Sequence, residues 1–425
     1  MACVSGAPPA GVAVVRLSGA GSWDIAASIF HPFPTSPESH RAYYGKLNSG
    51  DDGLALLFAS GQSFTGEETV EFQIHGSRSS IESCLASCMS AGARMAKPGE
   101  FSERAFLHGR IDLTQAEAIR DTIEAQTESQ MRQANLIRSG ALRAQLSQIQ
   151  ALITSVRAQI EAVVDFSEEI GDLDRSVAIA MLREATKKVA ALLQTRDAGQ
   201  FLRNGVRIAI AGLPNAGKSS LMNWILGRNR VIVHERPGTT RDYVEESVQI
   251  GKALVTLIDT AGLRLADDEV EKEGIERARQ IIESADLVWY LVDSQVGLTE
   301  ADRAEIASIT RPKCLVPTKG DLTGNDAAIS SVAGTGIERL ELHLNEFCGS
   351  EIWETSPLIR PRYEPHLQRV SESLVRAIET LDSDLPFDLA SVMLQLATEE
   401  IGQITGESAS GDVLDSIFRD FCIGK

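Results

Sequence analysis

The residues at positions 212–219 have the types and spacing of a loop that binds phosphate groups. They read Gly-Leu-Pro-Asn-Ala-Gly-Lys-Ser. Gly212 and Gly217 let backbone N–H groups turn toward the β- and γ-phosphates, and Lys218 adds a positive charge to the same oxygens. The Ser219 hydroxyl can bind Mg²⁺. The pattern predicts a nucleoside triphosphatase whose phosphate contacts are Asn215, Ala216, Gly217, Lys218, Ser219 and Ser220.

Two further motifs lie downstream in the order and spacing of a G domain. A Gly-Thr-Thr-Arg-Asp run at 238–242 supplies Thr240, whose hydroxyl can bind Mg²⁺ and sense the γ-phosphate. An Asp-Thr-Ala-Gly run at 259–262 supplies Asp259, which can hold a metal-bound water, and Gly262, whose N–H can meet the γ-phosphate. We expect further nucleotide contacts from His234, Glu235, Arg236, Pro237, Gly238, Thr239, Thr240, Asp259, Thr260, Ala261 and Gly262.

A fourth motif, Thr318-Lys319-Gly320-Asp321, occupies the position where G domains usually carry Asn-Lys-x-Asp. The Asp321 carboxylate can accept from N1–H and the exocyclic amine of guanine, a pairing that adenine lacks, while the stem of Lys319 covers the base. Thr318 replaces the Asn that ordinarily ties this loop to the phosphate loop, so we expect lower affinity with specificity kept. A degenerate fifth motif supplies the remaining expected base contacts, Ser330, Ser331 and Val332.

The catalytic groups for hydrolysis are less evident. Leu263 follows Gly262 directly, where many small GTPases have a Gln that orients water. The acidic stretch 267–273 offers carboxylates for that task, although a solvated charge run is the alternative reading. No arginine finger is identifiable, and the Asn215 amide oxygen could instead bind K⁺ together with carbonyls of the 234–239 loop. The expected K⁺ ligands are Asn215, His234, Arg236 and Thr239.

The elements that must position these residues are predicted by their apolar patterns. Residues 206–211 form an apolar, β-branched run before the phosphate loop, and helical spacing follows it. Runs at 255–258 and 287–293 predict two more buried strands. Short strands with Gly/Pro turns fill residues 1–112, whereas helical spacing covers 113–166, 177–193 and the chain after Pro365.

Composition limits the class of protein. The chain has 425 residues, 43% of them apolar and 24% charged, which suits two or three globular domains. No apolar run approaches the roughly 18 residues of a membrane span, and the first residues lack an export signal, so we expect a cytoplasmic protein without membrane contact. The net charge of -18 argues against nonspecific coating of nucleic acid. Six cysteines form no disulfide or zinc pattern, and we expect Cys84 and Cys88 to be packed thiols.

Over almost its whole length the chain resembles the tRNA-modification GTPases of the MnmE or TrmE family. Beyond the G-domain motifs, the resemblance includes Asp-Glu-Val-Glu at 268–271. In the amino-terminal part it includes Val-Arg-Leu-Ser-Gly at 15–19, Ser-Phe-Thr-Gly-Glu at 63–67 and Pro-Gly-Glu-Phe-Ser-Glu-Arg-Ala-Phe-Leu at 98–107. The terminal Phe-Cys-Ile-Gly-Lys at 421–425 is its most specific motif.

The resemblance implies a multidomain chain that combines α/β and all-α parts. An amino-terminal α/β folate-binding and dimerisation domain would span 1–112, and a discontinuous helical domain would span 113–203 and 351–425. A Ras-like P-loop G domain at 204–350 would be inserted between the two helical segments.

The resemblance also assigns roles to particular residues. Glu271 matches the carboxylate that orients water through a bridging water. The residues that match folate contacts are Arg16, Glu71, Arg110 and Lys425, with Arg110 standing where the family often has Lys. Cys422 is either a nucleophile toward the uridine ring or a small packed residue of the tail.

The implied reaction modifies the wobble uridine of tRNA at carbon 5, with GTP hydrolysis that depends on Mg²⁺ and K⁺. A 5,10-methylene- or 5-formyl-tetrahydrofolate would donate the carbon. The chain would form a homodimer and a heterotetramer with the flavoprotein MnmG (GidA), which alone carries FAD, since no dinucleotide fingerprint occurs here. Two alternatives are a GTP-dependent ribosome-assembly switch without modification chemistry and a scaffold that has lost guanine binding.

Overall fold

We describe the protein from a computed structural model that covers residues 1–165, 172–229, 245–259, 276, 278–383 and 385–424. The chain divides into two compact units. The first comprises Met1–Arg120, Ile137–Leu182 and Glu372–Lys425, and the second comprises Asp121–Leu136 and Arg183–Ser371. Among the helices that lie in these described ranges, none has both the length and the apolar character that a membrane span requires.

The amino-terminal sheet has six strands, in the order β1-β2-β6-β5-β4-β3, and the neighbouring strands are antiparallel. Alternate residues of its central strands, such as Ala13, Val15 and Leu17 of β2, are buried. Cys84 and Cys88 are buried free thiols in the same core, as predicted. The strands are β1 (Ala2–Cys3), β2 (Ala10–Ser18), β3 (Phe30–His31), β4 (Arg41–Leu47), β5 (Asp52–Phe58) and β6 (Thr69–Gly76).

The helices described before the phosphate loop fall into two groups. Three belong to the amino-terminal sheet region: α1 (Ser22–Ile29), α2 (Arg78–Ser90) and α3 (Glu100–Leu107). Four cover the first two predicted helical stretches, and a fifth lies beyond them: α4 (Leu113–Glu124), α5 (Glu128–Arg138), α6 (Ala141–Asp165), α7 (Arg175–Leu193) and, beyond the stretches, α8 (Arg196–Asn204).

The second sheet has five strands, in the order β11-β10-β7-β9-β8. All of its strand pairs are parallel except β8 with β9. Both faces are covered, so β10 is buried along Leu287–Leu291, as expected of a parallel strand between helices. The strands are β7 (Val206–Ala211), β8 (Glu245–Ile250), β9 (Ala253–Asp259), β10 (Leu287–Asp293) and β11 (Lys313–Thr318).

The remaining helices include four in the second unit: α9 (Lys218–Asn229), α10 (Glu300–Ser308), the single turn α11 (Gly320–Thr323) and α12 (Ile337–Cys348). A 3₁₀ turn at Ser350–Ile352 follows α12. The carboxyl-terminal helices are α13 (Glu364–Asp382), α14 (Phe387–Thr405) and α15 (Gly411–Arg419).

Most of the predicted elements are confirmed where the structure describes them, but residues 1–112 also contain the helices α1, α2 and α3, which the prediction of short strands and turns did not include. Strands β7 and β10 span the expected residues, and the apolar stripe on α6 is buried as a helix core. The long helical stretch from 113 is divided into α4, α5 and α6, with breaks at 125–127 and at Ser139-Gly140 that apolar spacing did not reveal. The proposed domain boundaries stay a prediction.

Candidate functional site

The phosphate loop connects β7 to α9 through a backbone that departs from ordinary φ angles. Gly212 has φ of 135°, and a Cβ atom there would lie 2.5 Å from the Leu291 carbonyl oxygen, so only glycine fits. Asn215 has φ of 64°, a left-handed conformation that Asn tolerates better than most residues. The turn ends at Gly217 and leads directly into α9, where backbone N–H groups and the helix dipole favour bound phosphate.

Lys218 is the first residue of α9, and only 8% of its surface is exposed. Its Nζ donates to the carbonyl oxygens of Gly212, at 2.6 Å, and Leu213, at 2.9 Å. The ammonium group therefore lies inside the loop that it is predicted to serve. Beside it, Ser219 Oγ and Asp259 Oδ2 are 3.4 Å apart, which places two hard oxygen ligands together where Mg²⁺ would be held.

The carboxyl ends of the parallel strands gather the other polar groups at one sheet edge. Asp259 ends β9, Asp293 ends β10 and Thr318 ends β11, and Asp293 is paired with Thr318 in the sheet register. Ligands of open α/β sheets bind at this edge because the loops that leave the strands converge there.

Thr318 makes the contact between the two loops that we expected to be weaker in the absence of the usual Asn. Its Oγ1 is buried, donates to the Ala216 carbonyl at 2.7 Å and lies 3.2 Å from the Val292 carbonyl. A single hydroxyl has one proton, so it supports one of these bonds at a time. The tie between the base loop and the phosphate loop is therefore kept by a shorter side chain.

Asp321 is held by the degenerate fifth motif. Ser330 Oγ donates to Asp321 Oδ1 at 2.6 Å and also accepts from the Ala333 N–H at 2.9 Å. Ser330 is 1% exposed, so its hydroxyl is fixed. Asp321 also lines the adjoining cavity, so its carboxylate can accept hydrogen bonds from a ligand there. A cavity of about 190 Å³ opens here, and it is lined by Gly217, Ser220, Thr318, Lys319, Asp321, Ser331 and Val332 among others.

Asp293 is a site residue that the sequence reasoning missed. Its Oδ2 accepts from Lys319 Nζ at 2.6 Å, and its Oδ1 accepts from the Gln295 N–H at 2.9 Å. The hydrogen bond from Lys319 is the main reason that the pKa of Asp293 is lowered. The backbone of Lys319 has φ of 59°, in the sparsely populated left-handed region, and the ion pair with Asp293 holds its side chain in place. The only available signal was an acidic residue at the end of a buried strand.

Replacing Asp293 with Ala should weaken GTP binding about tenfold, because Lys319 loses the anchor that keeps its stem along the base pocket. The turnover rate at saturating GTP should change less than about threefold, since no group at the phosphates is removed. Gln295→Ala is the matched control, because the exposed Gln295 contacts Asp293 only through its backbone. Equilibrium titration with a fluorescent GTP analogue measures both variants, and an unchanged affinity in Asp293→Ala would contradict the role of this ion pair.

A second polar site lies on the amino-terminal sheet, where two of the predicted folate residues form an ion pair. Arg16 of β2 and Glu71 of β6 are paired in register, and Arg16 Nε and Nη2 donate to Glu71 Oε1 at 2.8 Å and 2.6 Å. The Arg16 guanidinium lies 5.5 Å from the ring centre of Phe64 and 5.4 Å from that of Phe101. These cation–π contacts fix its plane.

Arg110 lies against the same loop that supplies Phe64. Its Nη1 donates to the Gly61 carbonyl at 3.2 Å, and its side chain is exposed. The structure therefore brings Arg16, Glu71 and Arg110 to one region of the first unit through the 61–66 loop.

An ion-pair network beside this region was also missed. Arg104 binds Glu67 at 2.9 Å and Glu100 at 2.7 Å, and Arg94 binds Glu100 at 2.5 Å. Burial alone would raise the pKa of Glu100, but hydrogen bonds from Arg94, the Lys97 N–H and Arg104 outweigh it and lower the pKa to about 2. The motifs at 63–67 and 98–107 are thereby held together by the ion pair between Glu67 and Arg104.

Cys422 is exposed, which argues against the packed alternative for this thiol. Its carbonyl accepts from the Gly99 N–H at 3.4 Å, and Ile423 forms a β-bridge with Pro98. The segment from Phe421 to Gly424, which we call the tail, thus lies against the turn that precedes α3.

Several predicted residues lie outside the described ranges, and their roles stay predictions. This set contains the water-orienting candidate, the nucleotide-binding residues of the second motif, the third motif apart from Asp259, three of the expected K⁺ ligands and one folate candidate: His234, Glu235, Arg236, Pro237, Gly238, Thr239, Thr240, Thr260, Ala261, Gly262, Leu263, Glu271 and Lys425.

Comparison with known proteins identifies the family of the chain. A family model described as the MnmE helical domain matches residues 113–422, and one described as the GTP-binding protein TrmE N-terminus matches residues 1–110. A protein named tRNA modification GTPase MnmE from Synechococcus sp. (strain JA-3-3Ab) is 39% identical, with 97% of this chain and 95% of the relative covered. Its namesake from Trichormus variabilis (strain ATCC 29413 / PCC 7937) is 37% identical over the same shares.

Among solved structures, the G domain of the T. maritima FeoB iron transporter is 26% identical, covering 33% of this chain and 98% of that one, with a TM-score of 0.25. The two family models confirm the predicted amino-terminal and helical parts, and the phosphate-loop unit supplies the G domain. The chain therefore belongs to the MnmE family of tRNA modification GTPases.

Proposed function

We propose that this chain uses GTP hydrolysis to drive modification of the wobble uridine of certain tRNAs at carbon 5, adding an aminomethyl or carboxymethylaminomethyl group. The relatives are named tRNA modification GTPases, which supports the coarser activity. The observation that carries the finer proposal is that α3 joins the Arg16 site to the tail bearing Cys422. Phe101 of α3 contacts Arg16, and Gly99, directly before α3, bonds to the tail.

The residues around Arg16 suit a tetrahydrofolate derivative, which would supply a one-carbon unit. Both bonds from Arg16 end on Oε1 of Glu71, so Oε2 can accept from the amine edge of a pterin ring. Phe64 is 38% exposed and offers an apolar face to such a ring. Arg110 supplies a positive charge for a carboxylate group, and we propose that Lys425 adds a second one.

Cys422 would act by adding its thiolate sulfur to the uridine ring next to carbon 5, which makes that carbon nucleophilic. The exposed position of Cys422 allows a macromolecular substrate to reach it. FAD would reside on the partner protein, MnmG (GidA). Because this chain carries a net charge of -18, the partner would also contribute positive surface for binding tRNA.

The amino-terminal sheet offers a surface for a second copy of the chain. Tyr44 and Leu54 are cross-strand partners, and they are 65% and 36% exposed. Val12 on β2 is 58% exposed. Exposed apolar side chains on a sheet face support the proposed homodimer, since such patches commonly mark interfaces.

At the nucleotide site, we propose that Asn215 holds K⁺ beside the β- and γ-phosphates, where it would neutralise charge that develops during hydrolysis. Replacing K⁺ with Na⁺ should slow hydrolysis by at least about tenfold if this charge stabilisation is lost. Asn215→Gly is the sharpest variant, because glycine adopts the left-handed φ of 64° without steric strain and lacks the side chain that carries the amide oxygen. It should hydrolyse GTP slowly and equally in both salts; a variant that still responds to K⁺ would contradict this ligand.

Reconstitution tests the whole proposal. Purified chain, MnmG, unmodified tRNA, GTP, K⁺, glycine or ammonium and methylene-tetrahydrofolate are combined, and nucleosides are analysed by mass spectrometry. We expect modified wobble uridine only when every component is present. Product formation without this chain or without GTP would count against the proposal, and a ribosome-assembly role predicts no modified uridine at all.

A further inference from the structure

The tail is held from two sides within the first unit. On one side, Ile423 bridges Pro98 and the Gly99 N–H donates to the Cys422 carbonyl. On the other side, a Cβ atom on Gly424 would lie 2.6 Å from the carbonyl oxygen of Cys3 in β1, so the tail backbone packs directly against β1. Phe421 anchors the segment: it is 5% exposed and lies 5.5 Å from the Phe418 ring centre.

Gly99 makes the closest approach of this arrangement. Its φ is 68°, in the left-handed region, and a Cβ atom there would overlap the Phe418 carbonyl oxygen and lie 3.0 Å from the carbonyl carbon. These neighbours are backbone atoms at the end of α15, so they cannot rotate away as a side chain would. An L-residue at 99 therefore carries both conformational strain and a steric conflict.

We propose that Gly99 is a positioning residue that docks the carboxyl-terminal tail and thereby places Cys422 for modification chemistry. The turn at Gly99 leads into α3, whose first residues include Glu100 and Phe101. Glu100 is locked by Arg94 and Arg104, and Phe101 contacts Arg16. The same rigid turn thus sets the position of the tail and of the Arg16 site. The catalytic part of this inference rests on the proposed function, whereas the docking part does not.

The test compares Gly99→Ala with Gly50→Ala in the full-length protein. Gly50 also has a left-handed φ, of 93°, but a Cβ atom there meets nothing within 4 Å, so the control carries strain without a steric conflict. Tail docking is measured as the rate at which carboxypeptidase removes the last residues, followed by mass spectrometry. We expect Gly99→Ala to be trimmed about tenfold faster than the wild type, and Gly50→Ala to be trimmed at the wild-type rate.

The same variants are assayed for GTP hydrolysis and for reconstituted uridine modification. Gly99→Ala should keep hydrolysis within about twofold and lose modification about tenfold, because its conflict lies outside the phosphate-loop unit. Should Gly99→Ala fail to fold, Phe421→Ala gives the same test from the tail side, since it removes the buried ring of the tail and leaves the Gly99 turn unsubstituted.

Trimming at the wild-type rate in both docking variants would overturn the proposal, as would faster trimming with undiminished modification. If the wild-type protein modifies no uridine, the proposed function fails, and the ratio of trimming rates still decides whether Gly99 docks the tail.

Discussion

Asp321→Asn should raise the dissociation constant for GTP by about 100-fold or more and create binding of xanthosine triphosphate. Guanine presents two donors, N1–H and the exocyclic amine, to a carboxylate that only accepts. Ser330 donates to Oδ1 of Asp321, so in the variant the amide oxygen keeps that place and the amide nitrogen turns toward the base. A nitrogen donor there repels the guanine amine and matches the carbonyl oxygen that xanthine carries instead.

Asp326→Asn is the control for this substitution, because Asp326 is an exposed carboxylate close to Asp321 in the chain and does not line the cavity. It should bind GTP as the wild type does. Competition of GTP and xanthosine triphosphate against a fluorescent GDP analogue measures the change in base preference. Asp321→Asn that retains wild-type preference for GTP would show that another residue reads the base.

Lys218→Ala should lower GTP hydrolysis by at least about 100-fold and weaken GTP binding. The ammonium group is nearly buried and bonded to two loop carbonyls, so its removal deletes a positive charge that is fixed inside the loop. Lys218→Arg should not restore activity, because the planar guanidinium is larger and cannot take the place of a compact ammonium inside the turn.

Lys252→Ala is the matched control, because it removes another lysine from the same unit. Lys252 forms a half-exposed ion pair with Glu354 at 2.9 Å, and such surface pairs contribute little. Phosphate release with saturating GTP compares the three variants. Hydrolysis by Lys218→Ala within about fivefold of the wild type would contradict the assignment of the phosphate loop as the site of hydrolysis.

The phosphate loop, its strand and its helix were predictable from sequence because a continuous run of residues defines them. The base pocket was predictable only in part. Asp321 was identified, but the Asp293–Lys319 ion pair joins residues 26 positions apart along the chain, and it depends on strand register that periodicity does not give.

The amino-terminal site shows the same limit. Arg16 and Glu71 were identified by resemblance, yet their direct pairing follows from the alignment of β2 with β6. The contact of Gly99 with the tail joins chain segments more than 300 residues apart. Thr318 shows the converse, since a substitution expected to weaken the inter-loop tie supplies that tie by its own hydroxyl.

Nucleoside analysis of tRNA from cells that lack this chain tests the central claim most directly. The wobble-uridine modification should disappear and return when the wild-type chain is supplied. It should stay absent with Lys218→Ala and with Cys422→Ser, because the first removes hydrolysis and the second removes the proposed nucleophile. Normal levels of the modified uridine in cells without the chain would contradict the claim that GTP hydrolysis by this protein drives tRNA modification.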